Sequence, residues 1–79
     1  MEIRYAAQRA FCNRPLVTNT EHCGCYGCLA EFAPQEIKEW TDEGETALCP
    51  FCGIDSVLAD NEDCAISKEF LEKIHRYWF

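Results

Sequence analysis

A chain of 79 residues makes one domain, spanning 1–79, near the size at which a hydrophobic core alone is marginal and a staple is expected. Its apolar runs are only a few residues long, which excludes a spanning helix. An odd count of 7 cysteines and no signal-peptide pattern argue against a secreted disulfide framework and for the reducing cytoplasm. The net charge of −7 is confined to the middle: residues 1–14 carry three Arg against Glu2, 15–63 carry eleven acids against Lys38, and 64–79 carry three bases against two acids. That middle repels a phosphate backbone unless the basic ends fold into a separate patch.

In chain order, Ile3, Ala6, Ala7, Ala10 and Phe11 recur at helical spacing and predict an amphipathic helix over 1–12. It is expected to end near Asn13, because Pro15 disfavours helical geometry at Arg14. Residues 13–24 read as a loop rich in Asn and Thr. It leads into His22, Cys23, Gly24, Cys25, Tyr26, Gly27 and Cys28, the start of a metal-binding core expected over 22–60.

Cys25 and Cys28 form one Cys-x-x-Cys pair and Cys49 and Cys52 a second, with twenty residues between them. That spacing fits a tetrahedral four-thiolate site. Two intervening residues let the chain turn so that both sulfurs reach one ion while backbone N–H groups point at the thiolates. Gly53 suits such a turn because it takes a positive φ at little cost. Cys23 and His22 are alternative ligands for the first pair. Against Cys23 is its separation of a single residue from Cys25, which strains a shared chelate. Four thiolates close the coordination sphere, so a structural Zn²⁺ is the expected cofactor and catalysis is not. The same donors also accept iron.

Pro34 opens a short helix predicted over 34–40 with Ile37 and Trp40 on one face above Phe32, closed by Gly44. Trp40 either covers the metal site or serves as a binding anchor. Extended segments on either side of the second pair make a strand, metal turn and strand, as in a zinc ribbon. A treble clef would instead start a helix at the last two ligands. The acidic run over 60–63 reads as a solvated turn, and Cys12 and Cys64 as thiols outside the site.

Ser67 caps a final helix over 67–79, on which Phe70, Leu71, Ile74, Tyr77 and Trp78 form an apolar stripe and His75 lies on the surface. The aromatics Tyr77, Trp78 and Phe79 either pack this helix down or form an exposed patch. With Trp40 they are the candidate partner-binding residues. The fold class expected is therefore a small, metal-stabilised α+β domain. It has a zinc-ribbon-like four-cysteine core, N- and C-terminal helices and a short helix between the metal turns.

The Cys49-Pro-Phe-Cys-Gly53 turn is similar to the second metal turn of rubredoxins and to the knuckles of many zinc ribbons. Rubredoxins usually have Gly after the first pair, where this chain has Leu29. More extensively, the sequence from His22 to Val57 with the closing His75-Arg-Tyr-Trp-Phe79 resembles a family of small, uncharacterised bacterial cytoplasmic proteins. That resemblance implies a bacterial cytosolic origin and carries no activity.

No catalytic constellation stands out, and His22 beside Cys23 lacks an orienting third residue. The expected function is a non-catalytic zinc module for protein–protein interaction, an adaptor or inhibitor whose partner has a basic surface. The alternatives are a nucleic-acid-binding zinc ribbon, if Arg4, Arg9, Arg14, Lys73 and Arg76 converge, and a rubredoxin-like iron electron carrier.

Overall fold

The computed structural model describes residues 6–61 and 64–79. Its centre is a three-stranded antiparallel sheet of β1 (Cys23–Cys25), β2 (Glu31–Phe32) and β5 (Val57–Ala59), with β1 in the middle. A separate hairpin joins β3 (Trp40–Thr41) to β4 (Thr46–Ala47). Two helices, α1 (Arg14–Thr18) and α2 (Lys68–Trp78), and two 3-10 turns, Ala7–Ala10 and Pro34–Glu36, complete the described chain. None of these helices is long and apolar enough to cross a membrane.

The two-residue period of a strand divides the core in two. In register, Cys23 lies opposite Ala59 and Cys25 opposite Val57, while Gly24 faces Leu58 between them. Cys23, Cys25, Val57 and Ala59 cluster with Val17 of α1, Phe32, Ile37, Ala47 and Cys49. Leu58 instead clusters with Ala6, Ala10, Cys64, Ile66 and the α2 residues Leu71 and Ile74. The sheet is thus a septum, with the β3–β4 hairpin and α1 on one face and α2 on the other. Gly24 permits the close approach of α2, since a Cβ there would stand 2.7 Å from Ile66 Cγ2 and 2.8 Å from Leu71 Cδ1.

Several expectations are corrected. Of the helix expected over 1–12, residues 1–5 lie outside the described residues; Ala6 is helical, Ala7–Ala10 tightens into a 3-10 turn, and Phe11 is already extended. The segment read as a loop contains α1: Pro15 opens a helix there instead of only closing one, its fixed φ suiting a first turn. The helix expected over 34–40 is a single 3-10 turn, Pro34–Glu36, with Glu36 Oε2 accepting from the Ala33 N–H at 2.8 Å. Ile37 is then extended and Trp40 enters β3. The packing inference survives this change, because Phe32, Ile37 and Trp40 still share one core. Gly44 has φ +90°, as a left-handed residue of the hairpin turn and not as a helix cap.

A buried asparagine joins the hairpin to the central sheet. Asn13 is wholly inaccessible; its Nδ2 donates to Val57 O at 2.8 Å and its Oδ1 accepts from Ala47 N at 3.0 Å. On either side of it, Cys12 N donates to Thr46 Oγ1 at 2.9 Å and Arg14 N to Glu45 O at 3.0 Å. Arg14 also places its guanidinium 4.7 Å above the Trp40 ring and donates to Gly44 O at 2.6 Å.

The closing helix follows the sequence closely. Ser67 Oγ accepts from Phe70 N at 3.2 Å, and Leu71 and Ile74 are buried. The apolar stripe is not all core: Tyr77, Trp78 and Phe79 remain 52%, 51% and 65% exposed. Of the acidic run read as a solvated turn over 60–63, residues 62 and 63 lie outside the described residues; Asp60 accepts from Ile66 N at 2.6 Å through Oδ1 and so fixes the approach to α2.

Candidate metal centre

Two turns of the same construction carry the two cysteine pairs. In the first, Cys25 N donates to Ala30 O at 2.9 Å and Leu29 N to Cys25 O at 2.8 Å; in the second, Cys49 N donates to Ile54 O at 3.0 Å and Gly53 N to Cys49 O at 3.0 Å. Each turn aims backbone N–H groups at its sulfurs. Gly27 N lies 3.3 Å from Cys25 Sγ, and Phe51 N and Cys52 N lie 3.4 and 3.5 Å from Cys49 Sγ. The Ala30 and Ile54 N–H groups do the same for Cys28 and Cys52.

The first turn links β1 to β2, and the second leads into β5, so the pairing of β5 with β1 brings them face to face. The Sγ atoms of Cys25, Cys28, Cys49 and Cys52 all lie within 4.8 Å of one another. The short approaches cross between the turns, with Cys25 to Cys52 and Cys28 to Cys49 both at 3.6 Å. A metal–sulfur bond of about 2.3 Å in tetrahedral geometry gives an edge of about 3.8 Å. The group can therefore hold a metal ion with small adjustments.

The electrostatics of the metal-free thiols reflect this crowding. Burial raises Cys52, which the neighbouring Cys25 and Cys49 push further, to about 12 against the opposing pull of the Ile54 N–H. Cys28 is likewise raised, chiefly by burial. Burial would raise Cys49 too, but the N–H groups of Cys52 and Phe51 and the adjacent thiols hold it below the ordinary thiol value. Four thiols this close do not all ionise together without a cation between them, and a divalent ion supplies the compensating charge.

The other candidates are placed elsewhere. Cys23 shares a face of β1 with Cys25 but is wholly buried in the core, and burial, with Asp60 adding to it, raises its thiol to about 11. His22 turns outward, its Nε2 2.8 Å from Glu31 Oε1 across the β1–β2 pair. Trp40 sits on the hairpin side, beneath Arg14, while Tyr77, Trp78 and Phe79 end the helix on the opposite face of the sheet. The four candidate partner-binding residues are thus divided between two layers.

His75 is a correction. It is half buried and ties α2 to the first metal turn, with Nδ1 donating to Tyr26 O at 2.9 Å and its ring stacked on Phe79 at 5.1 Å. Phe79 in turn meets the Tyr26 ring at 5.9 Å. On the second turn, exposed Phe51 meets Phe32 at 5.9 Å. Beside that turn lies a groove of about 160 Å³ lined by Lys38, Glu39, Leu48, Cys49, Pro50 and Gly53.

Sequence reasoning also passed over Ser56, which is buried with Oγ 3.0 Å from Cys25 Sγ. Its only signal is its position beside the strand that must pair with β1. No protein-family model, curated protein or solved structure matches the chain.

Proposed function

We propose that the chain is a non-catalytic, zinc-ribbon-like module in which one structural zinc ion is held by Cys25, Cys28, Cys49 and Cys52, and that it acts in the bacterial cytoplasm by binding another protein. The observation that carries the metal reading is the mutual approach of the four sulfurs within 4.8 Å. Cross-turn pairs at 3.6 Å and N–H donors aimed at the sulfurs support it. Zinc bound by four thiolates is worth on the order of 10 kcal/mol, as much as the whole stability of an ordinary domain. Its role is to lock the two turns, and with them the sheet, into one arrangement.

The partner reading rests on surface chemistry. Tyr77, Trp78 and Phe79 leave three exposed aromatic side chains at the end of α2, a residue type enriched in protein interfaces relative to the rest of the surface. The acidic middle of the sequence favours a basic partner, with association that weakens as salt rises. Trp40 is a poorer anchor than these three, because it is partly buried against the hairpin-side core whereas they are exposed.

Iron is the second reading, favoured by the repeated N–H to sulfur pattern in both turns and by the resemblance of the second turn to rubredoxins. Metal content and a visible spectrum, measured on protein purified without a chelating tag, separate the two. One zinc per chain and no colour is the expected result. Stoichiometric iron with thiolate charge-transfer bands would replace zinc by an electron carrier, and absence of any metal would overturn both.

A further inference from the structure

Among the described residues, Cys25 differs from its three partners in having a side-chain hydrogen-bonding neighbour that belongs to neither turn. Ser56 precedes β5, its hydroxyl is 1% exposed as part of the residue, and its Oγ lies 3.0 Å from Cys25 Sγ. The backbone holds it there, with Tyr26 N donating to Ser56 O at 3.1 Å. A metal-bound cysteine sulfur carries no proton, so in the loaded site the hydroxyl must be the donor.

Gly27 is built around the same contact. A Cβ at position 27 would stand 2.9 Å from Ser56 Oγ and 3.5 Å from Cys25 Sγ. No positive φ accounts for glycine at this position, since the left-handed glycines are Gly44 and Gly53. The missing side chain makes room for the hydroxyl.

We propose that Ser56 is a positioning residue of the metal centre: its hydroxyl, admitted by Gly27, donates a hydrogen bond to the Cys25 thiolate and so sets that ligand's electron donation and the affinity of the site. The inference rests on the four-cysteine reading above and deepens it. Four thiolates around a divalent ion leave a net charge of −2, and Cys25 is among the two buried ligands, where that charge is least relieved by water. A hydroxyl donor and the Gly27 N–H together offset it. Removing the hydroxyl leaves the sulfur more electron-rich. Its charge-transfer transition to the metal then falls in energy, and the bound state loses stabilisation.

The test uses the full chain loaded with cobalt(II), whose sulfur-to-cobalt charge-transfer bands report on the ligands, and zinc affinity from competition with a chromophoric chelator. Ser56→Ala is expected to move the charge-transfer band to longer wavelength and to weaken zinc binding by about 10- to 100-fold, with the tetrahedral cobalt bands kept. Ser56→Thr, which keeps the hydroxyl, is expected to keep the parent band position.

Gly27→Ala reads the same bond with Ser56 still present, because the added methyl displaces the hydroxyl; it should reproduce the Ser56→Ala shift. An unshifted band in both Ser56→Ala and Gly27→Ala would overturn the proposal and reduce Ser56 to a space-filling residue. If Ser56→Ala does not fold, the Gly27→Ala band alone decides. Failure of the parent chain to take up either zinc or cobalt is a different result, which removes the four-cysteine reading and the inference with it.

Discussion

Leu29 and Gly53 occupy the same position in the two metal turns. Each donates its N–H to the carbonyl of the first cysteine of its turn, at 2.8 and 3.0 Å, and each has a left-handed backbone, with φ of +68° and +76°. The turn requires that conformation whatever the side chain. Leucine bears its steric cost because its side chain also packs against the cluster of Leu58, Leu71 and Ile74, joining the first turn to α2.

The two positions therefore respond differently to substitution. Gly53→Ala introduces a Cβ into open space, so its whole effect is backbone strain, expected to cost about 1 kcal/mol. Leu29→Gly relieves strain of about 1–2 kcal/mol but gives up a half-buried leucine of similar worth, and is expected to stay within about 1 kcal/mol of the parent. Denaturant unfolding at a fixed free-zinc concentration measures both. A large loss in Leu29→Gly would show that the packing dominates.

Asn13 is the polar residue on which the hairpin side depends most. Asn13→Ala leaves the Ala47 N–H and the Val57 carbonyl without their buried partner, at about 1–3 kcal/mol for each group. A total loss of about 3 kcal/mol is expected in the same unfolding experiment. Asn13→Asp keeps the acceptor for Ala47 but loses the donor to Val57, and is expected to be at least as damaging.

The seven thiols divide by environment. With zinc bound, a thiol reagent at mildly alkaline pH is expected to modify one cysteine rapidly, the exposed Cys12, while Cys23 and Cys64 stay protected by burial. Cys12→Ser removes the rapid phase. Adding a strong chelator exposes the four ligands, and with the fold lost the remaining two react as well.

Cys23 also predicts a dependence on pH. Its thiol is raised to about 11 in the folded chain, whereas an unfolded cysteine titrates near about 8.5. Above that lower value the folded state keeps a proton that the unfolded state has lost. The contribution to stability is thus complete below about pH 8.5 and declines as pH rises towards 11. Cys23→Ala is expected to flatten this alkaline decline in unfolding measured against pH, whatever its effect at neutral pH.

The last helix separates core from surface within one apolar stripe. Leu71→Ala, at a wholly buried position, is expected to cost about 3 kcal/mol. Trp78→Ala, half exposed, is expected to cost less than about 1 kcal/mol. Once a partner is in hand the order should reverse for binding. A Trp78→Ala chain as destabilised as Leu71→Ala would place the tryptophan in the core and weaken the interface reading.

The sequence by itself determined the parts whose physics is local. Two Cys-x-x-Cys spacings named the four sulfurs that the fold brings together, Ser67 and the stripe behind it marked α2, and Gly53 marked a left-handed turn, because spacing, capping and φ preference act within a few residues. Tertiary structure decided the rest. Whether Ile37 and Trp40 bury themselves as a helix or as extended chain depends on the hairpin they join, not on their three-residue separation. Pro15 is equally compatible with ending one helix and beginning another. Asn13, Ser56 and His75 look like ordinary polar residues until Val57, Cys25 and Tyr26, distant in sequence, are placed against them. A buried hydrogen bond has meaning only through its partner: the pairing of β1 with β5 sets Ser56 against Cys25, while the packing of α1 and α2 brings Asn13 to Val57 and His75 to Tyr26.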